Sequence, residues 1–176
     1  MSDSALAILS RSPAETAAIG EAVAGWLRDG DAVLLHGDLG AGKTTLVKAI
    51  AAGLRVEAVV SSPSFGLINE YDCGLFAEVE RLYHLDLYRL QDESDLASIG
   101  FDEYVALESG AALVEWPERA IGHLPDRYLL IEMEVVAPQE RRLRFSAHPA
   151  DGSWADRLAD LQHRLDRLRA SVDESF

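Results

Sequence analysis

Residues 31–54, DAVLLHGDLGAGKTTLVKAIAAGL, decide how this chain folds. Asp31 to His36 is a short apolar run, Gly37-Asp38-Leu39-Gly40-Ala41-Gly42 is rich in glycine, and Lys43 to Leu54 holds helix-compatible residues with no proline. The order is buried strand, glycine loop, helix. Within it, Gly37 to Thr44 reads GDLGAGKT and fits the P-loop pattern G-x-x-x-x-G-K-[ST], in the setting that pattern requires. Glycines let the backbone curl until several amide N–H groups converge on phosphate oxygens, and the helix N-terminus adds partial positive charge. The candidate phosphate cradle is therefore Asp38, Leu39, Gly40, Ala41, Gly42, Lys43, Thr44 and Thr45. Lys43 is placed to bridge the β- and γ-phosphates, and the Thr44 hydroxyl suits the octahedral oxygen shell of Mg²⁺. The bland alternative is a glycine-rich turn that merely precedes a helix.

Outward from this segment the chain reads as one domain. It has 176 residues, 48% of them hydrophobic and 26% charged, enough for an ordinary core. Mean hydropathy is -0.01. Acidic residues number 30 against 16 basic ones, a formal charge of -14, which argues against a surface that grips nucleic-acid backbones directly. One cysteine, Cys73, excludes an intramolecular disulfide framework and suits a reducing compartment. No apolar run approaches membrane-spanning length, and Asp3 stands where a secretory leader would be basic, so the expected location is the cytoplasm.

Ser12-Pro13-Ala14-Glu15 has the form of a helix start, and Ile19, Ala22, Val23, Trp26 and Leu27 continue one apolar face until Gly30. Short strands are expected at Ala58 to Ser61, Phe65 to Asn69 and Val79 to Tyr88, with Asp72-Cys73-Gly74 as turn chemistry. A short helix should span Asp92 to Gly100, a strand Ala111 to Val114, and another short helix Pro117 to Gly122. Tyr128 to Val136 and Arg141 to Ala147 alternate as a hairpin. A turn at Pro138 would set Glu134 opposite Arg142 and Glu132 opposite Arg144, with Ile131, Met133, Leu143 and Phe145 on the other face. In the tail, Trp154, Leu158, Leu161, Leu165, Leu168 and Val172 follow spacings of four and three. The stripe is too short for a sustained coiled coil, which favours a helix docked on its own domain, with the chain a monomer or weak dimer. The expected division is residues 1–148 as the main domain and 149–176 as a helical extension packed on it.

A phosphate site of this kind needs a carboxylate from a neighbouring strand to hold the metal or its water. Two are available. Glu115 ends the run Ala111-Ala112-Leu113-Val114, at the carboxyl edge where ligands sit in open α/β sheets. Asp86 follows Leu82 to Leu85, and alternation puts His84, Asp86 and Tyr88 on one face. Either acid alone could instead be a rim residue on a solvated edge. Ser61-Ser62-Pro63-Ser64-Phe65 is a hydroxyl-rich turn suited to a switch segment that reaches the γ-phosphate or its Mg²⁺. Trp116 could stack near the site or simply pack. His36, His123, His148 and His163 have no metal-ligand spacing.

Four segments in order, GDLGAGKTT (37–45), VSSPSF (60–65), HLDLYRL (84–90) and VEWPERA (114–120), resemble the TsaE (YjeE) family of small P-loop ATPases of bacterial tRNA threonylcarbamoyladenosine synthesis. The stretch from Ser98 to Tyr104 resembles the family's Gly-x-x-x-Tyr spacer, and the likeness runs from about Leu9 to Ala147. The resemblance implies an α/β, P-loop NTPase-like mixed sheet with flanking helices and an antiparallel hairpin portion. It implies ATP and Mg²⁺ as ligands, Thr44, Asp86 and Glu115 at the metal, and catalytic roles for Lys43, Asp86 and Glu115. It also implies a switch role for Ser64, where the family usually has threonine, a place for Trp116 near the nucleotide, and base contacts around Ser12 to Thr16. Arg141 would approach the phosphates, an edge salt bridge being the alternative. The implied partners are the TsaB and TsaD proteins, with tRNA contacted only through them. Two rivals remain at this stage. A small-molecule or nucleoside kinase would need an acceptor pocket and an arginine-rich lid, and the arginines show no lid-like cluster beyond Arg141 and Arg142. A nucleotide-gated binding module would load ATP without turnover.

Overall fold

The structure, a computed structural model, describes residues 6–63, 67–75 and 77–173. Strand β2 (Ala32–His36) is buried but for its last residue, and it lies between β5 (Ala111–Glu115) and β6 (Tyr128–Ala137), parallel to both. β4 (Arg81–Asp86) runs parallel on the far side of β5. Antiparallel strands finish both edges: β3 (Ile68–Asp72) on β4, and β7 (Glu140–His148) on β6 followed by β1 (Leu6–Ser10). The described sheet has seven strands in the order β1-β7-β6-β2-β5-β4-β3.

Because alternate residues of a strand face opposite ways, β2 sends Val33 and Leu35 to one core and Leu34 to the other. The first core receives α1 (Pro13–Ala24), α2 (Lys43–Gly53) and α5 (Ala155–Asp173); the second receives α3 (Glu93–Ser98) and α4 (Phe101–Val105). Helices on both faces of the central parallel strands explain why β5 is buried along its whole length. Helix α1 begins as expected, with the Ser12 hydroxyl accepting from Glu15 N at 3.1 Å and Pro13 in the first turn. Where α1 crosses α2 the contact is very close: a Cβ on Gly20 would lie 2.5 Å from Ala49 Cβ.

Several expectations are corrected. The first helix ends at Ala24, not near Gly30, and Trp26 and Leu27 reach the core from the following turn. The Trp26 indole donates to Arg157 O at 2.7 Å, so a contact with α5 rather than helical continuation sets its position. Ala58 to Ser61 forms no strand; Val59 is 91% exposed. The strand expected at Phe65 to Asn69 is β3, which starts at Ile68, and Phe65 lies outside the described residues. Asp72 ends that strand, so the turn begins only at Cys73. Gly100, at φ 66°, closes α3 and opens α4, a second short helix within the stretch from Ser98 to Tyr104. The hairpin register is as expected, Glu134 opposite Arg142 and Glu132 opposite Arg144.

Helix α5 docks through Leu158, Leu161 and Leu165, with Trp154 just before it, all buried. Arg157 secures it, donating from both terminal nitrogens to Asp31 at 2.7 Å and stacking over the Trp26 ring at 4.0 Å.

Candidate functional site

Three chain reversals meet at the carboxyl edge of the parallel strands: the exits of β2, β4 and β5. The register aligns Leu35 with Glu115 and Glu115 with Asp86, so both acids end adjacent strands at one level. After His36 the chain curls through the glycine loop into α2. Gly37, at φ 156°, passes so close to β6 that a Cβ there would meet Met133 O at 2.5 Å, and Gly42 enters the helix at φ 103°. The loop and the start of α2 form one wall of a cleft of about 450 Å³. Ser62, Asp86, Tyr88, Arg89, Glu115 and Trp116 complete its lining.

The polar side chains are tightly partnered. Thr44 Oγ1 donates to Glu115, lying 2.9 Å from Oε1 and 3.1 Å from Oε2. Glu115 is only 2% exposed, and His84 Nε2 lies 2.8 Å from its Oε1. Asp86 accepts from Ser62 Oγ at 2.7 Å and from Tyr88 N at 3.1 Å, and it is less buried than Glu115. Lys43 is 5% exposed; its ammonium donates to Gly37 O and, at 3.0 Å, to Asp38 O, with the Trp116 ring centre 3.9 Å away. Burial lowers the Lys43 pKa below the ordinary lysine value, against the opposing pull of Glu115, Glu118, Asp86 and Asp38. Trp116 holds a left-handed backbone, φ 61° and ψ 49°, just before Pro117. That conformation is costly for a non-glycine residue, and contact with Lys43 and with the Tyr88 ring at 4.9 Å secures it.

The expected residues are therefore mostly gathered. Leu39, Gly40, Gly42, Lys43, Thr44, Thr45, Asp86, Glu115 and Trp116 line the cleft. Asp38 and Ala41 belong to the loop without lining it, Ala41 being fully buried. Arg141 braces the loop from outside, its guanidinium donating to Ala41 O at 2.9 Å and to backbone carbonyls of the β6–β7 turn. Ser64 lies outside the described residues. Sequence reasoning gave no role to His84 or Arg89, and Ser62 entered it only as part of the hydroxyl-rich switch turn 61–65. For His84 the signal was present, since strand parity already set it beside Asp86 on one face.

The donor set fits a hard cation held with a phosphate chain: one hydroxyl and two carboxylates at the mouth of an amide-lined loop. The loop fits the phosphates too, for a Cβ on Gly40 would meet nothing within 4 Å and the backbone there is open to close approach.

A parallel core, a glycine loop entering α2 and an acid at the end of the neighbouring strand together define a P-loop NTPase-like α/β protein. The family model described as "Threonylcarbamoyl adenosine biosynthesis protein TsaE" matches residues 10–143, and the chain belongs to that family. It is 42% identical over 135 residues to the tRNA threonylcarbamoyladenosine biosynthesis protein TsaE of Bacillus subtilis (strain 168), covering 77% of this chain and 81% of the relative. To the protein of the same name from Treponema pallidum (strain Nichols) it is 38% identical, covering 77% of this chain and 96% of that one. The crystal structure of Bacillus subtilis YdiB superposes with a TM-score of 0.72 at 34% identity, covering 94% of this chain and 96% of that chain.

Proposed function

We propose that this chain binds ATP in the cleft, hydrolyses it slowly, and serves tRNA threonylcarbamoyladenosine (A37) modification by acting on a TsaB–TsaD type complex. The observation that carries the reading is the Thr44 hydroxyl on the Glu115 carboxylate at 2.9 and 3.1 Å, at the first turn of the helix that leaves the glycine loop. Family membership supports the pathway. The loop amides from Asp38 to Thr45 would hold the phosphates. Lys43 would leave Gly37 O and Asp38 O for a phosphate oxygen; burial has already stripped much of its water, so that contact forms at low dielectric. Magnesium, held by Thr44 with Asp86 and Glu115, would neutralise charge developing on the γ-phosphoryl group. Asp86, kept at the cleft wall by Ser62 and Tyr88 N, or Glu115 would orient the attacking water.

The charge of -14 supports tRNA contact through partners only. Among the described residues no helix is long and apolar enough to cross a membrane. The reading makes the chain a cytoplasmic ATPase, a monomer or weak dimer, stimulated by its partners. Phosphate release tests it, measured for the chain alone and with the partner pair. Partners should raise the rate and Lys43→Ala should abolish it; undiminished hydrolysis by a folded Lys43→Ala variant would refute the assignment.

A further inference from the structure

Strands β4 and β5 set His84 opposite Leu113 and Asp86 opposite Glu115. Alternation turns Leu82, His84 and Asp86 toward the α2 face, so His84 lies diagonally beneath Glu115, a separation that long side chains span. The imidazole is fully buried, with Nε2 at 2.8 Å from Glu115 Oε1. Its Nδ1 is buried as well and has no hydrogen-bond partner among the described residues. A carboxylate oxygen accepts in this contact, so Nε2 carries the hydrogen and Nδ1 is left as the unmatched ring nitrogen. A buried acceptor without a partner costs stability, and a leucine such as Leu82 on the same face would carry no such cost. What the histidine adds is one N–H aimed at Glu115.

That N–H changes what Glu115 can do. Oε1 is shared between His84 and Thr44, whereas among the described residues Oε2 is bonded by Thr44. Rotation of the carboxylate about its last bond would break the His84 contact, so the imidazole fixes the plane in which both oxygens meet Thr44. We propose that His84 is a positioning residue: it holds Glu115 so that Glu115 and Thr44 together present oxygens to the magnesium of a Mg²⁺–nucleotide, and so sets the metal-linked part of nucleotide affinity. Partners that orient a ligating side chain in this way are worth tenfold to a hundredfold in metal affinity. The proposal rests on the reading of the cleft as a Mg²⁺–nucleotide site.

The test is calorimetric titration of the full chain with ADP, in EDTA and in excess Mg²⁺, the readout being the ratio of the two dissociation constants. Wild-type chain that binds no ADP, or binds it equally in both buffers, overturns the cleft reading itself. Given a wild-type ratio, His84→Asn should cut it about tenfold or more while affinity in EDTA stays within about twofold. His84→Gln should restore it to within about threefold, because the glutamine amide nitrogen takes the place of imidazole Nε2 whereas that of asparagine takes the place of Nδ1. A full ratio in His84→Asn, parallel losses with and without metal, or glutamine no better than asparagine would each overturn the positioning role. Should the variants fail to fold, ¹⁵N-histidine spectra of the wild type decide. His84 should show a protonated Nε2 and bare Nδ1, with the Nε2–H signal moved more by Mg²⁺–ADP than by ADP alone. A ring protonated only on Nδ1, or a signal indifferent to magnesium, overturns it.

Discussion

Removing the Arg157 side chain should undock α5 by an amount the geometry allows to be worked out. Its two terminal nitrogens each lie 2.7 Å from Asp31, one also donates to Trp26 O at 3.1 Å, and the guanidinium covers the Trp26 ring at 4.0 Å. The side chains are 15% and 8% exposed, so this is a largely desolvated pair. Breaking such a pair by deleting one partner costs about 3–5 kcal/mol. Asp31 keeps one donor, Arg28 N at 2.8 Å, which puts Arg157→Ala near the lower figure, about 3 kcal/mol. At about 2.1 cal/mol/K per residue for unfolding, that lowers Tm by roughly 8 °C. Asp31→Asn keeps much of the geometry and should cost about 1–2 kcal/mol. Urea unfolding followed by tryptophan fluorescence suits the measurement, because Trp26 and Trp154 stack at 5.8 Å beside the pair. The double-mutant cycle should give a coupling of about 1–3 kcal/mol. A coupling below about 0.5 kcal/mol would equate the pair with an exposed one and refute the argument.

Gly20→Val should destabilise by about 1–3 kcal/mol through overpacking against Ala49, read as a lower urea midpoint at unchanged slope, and Gly20→Ala by less. Burial, with Asp72 and Asp29 nearby, pushes the Cys73 thiol up to about 11. Alkylation of the native chain at pH 8 should therefore run on the order of a hundredfold slower than that of a free thiol and climb until about pH 11, where a plateau near pH 8.5 would contradict the shift. Lys43 has a lowered pKa in the folded chain, so the unfolded chain binds more protons between that value and 10.5. The cost of burying its charge is complete below the folded pKa and relieved as pH rises toward 10.5, so wild type should gain on Lys43→Met over that interval. A stability difference independent of pH from 8 to 10.5 would show no such shift.

Local signals in the sequence were sufficient for the strand-loop-helix core and the β6–β7 hairpin. The hairpin's alternation and single turn fix its register, and the exposed pairs Arg142–Glu134 at 2.6 Å and Arg144–Glu132 at 3.8 Å follow from it. What was not legible depends on partners far away in the chain. β1 is a five-residue strand whose only ladder among the described residues is with β7, Leu6 opposite Phe145, and nothing near it in sequence announces that pairing. Ala58 to Ser61 has strand-forming valines but joins no ladder among the described residues, so propensity alone misleads. At the site, motif residues could be named, but the hydrogen bond from His84 to Glu115 needs β4 parallel to β5 in this one register. The left-handed Trp116 was equally hidden, since a non-glycine residue before proline is the last place to expect it.

The buried polar side chains of the described residues divide by what they accomplish. Ser10, Thr16, Asp31, Lys43, His84 and Glu115 are the ones below the surface. Ser10 and Thr16 bond each other at 2.7 Å where β1 passes into α1, and Asp31 is closed by Arg157 across 126 positions of chain. Those two groups join segments of the chain. Lys43, His84 and Glu115 lie together at one strand edge, beside a strained Trp116 and a Gly37 that tolerates no Cβ. Below them the same strands are wholly apolar, with Val33, Leu35, Ala112 and Leu113 sealed from solvent. Burying charge and leaving a histidine nitrogen unpaired both work against folding, and a leucine-rich core would have filled the same space more stably. The Asp31–Arg157 pair, with Arg157 Nε unpaired, carries costs of the same kind but returns them by docking α5. Lys43, His84 and Glu115 instead gather where loop, helix start and two acids converge, as selection for a bound phosphate and its cation would place them, with the apolar layers beneath supplying the stability that the edge gives up.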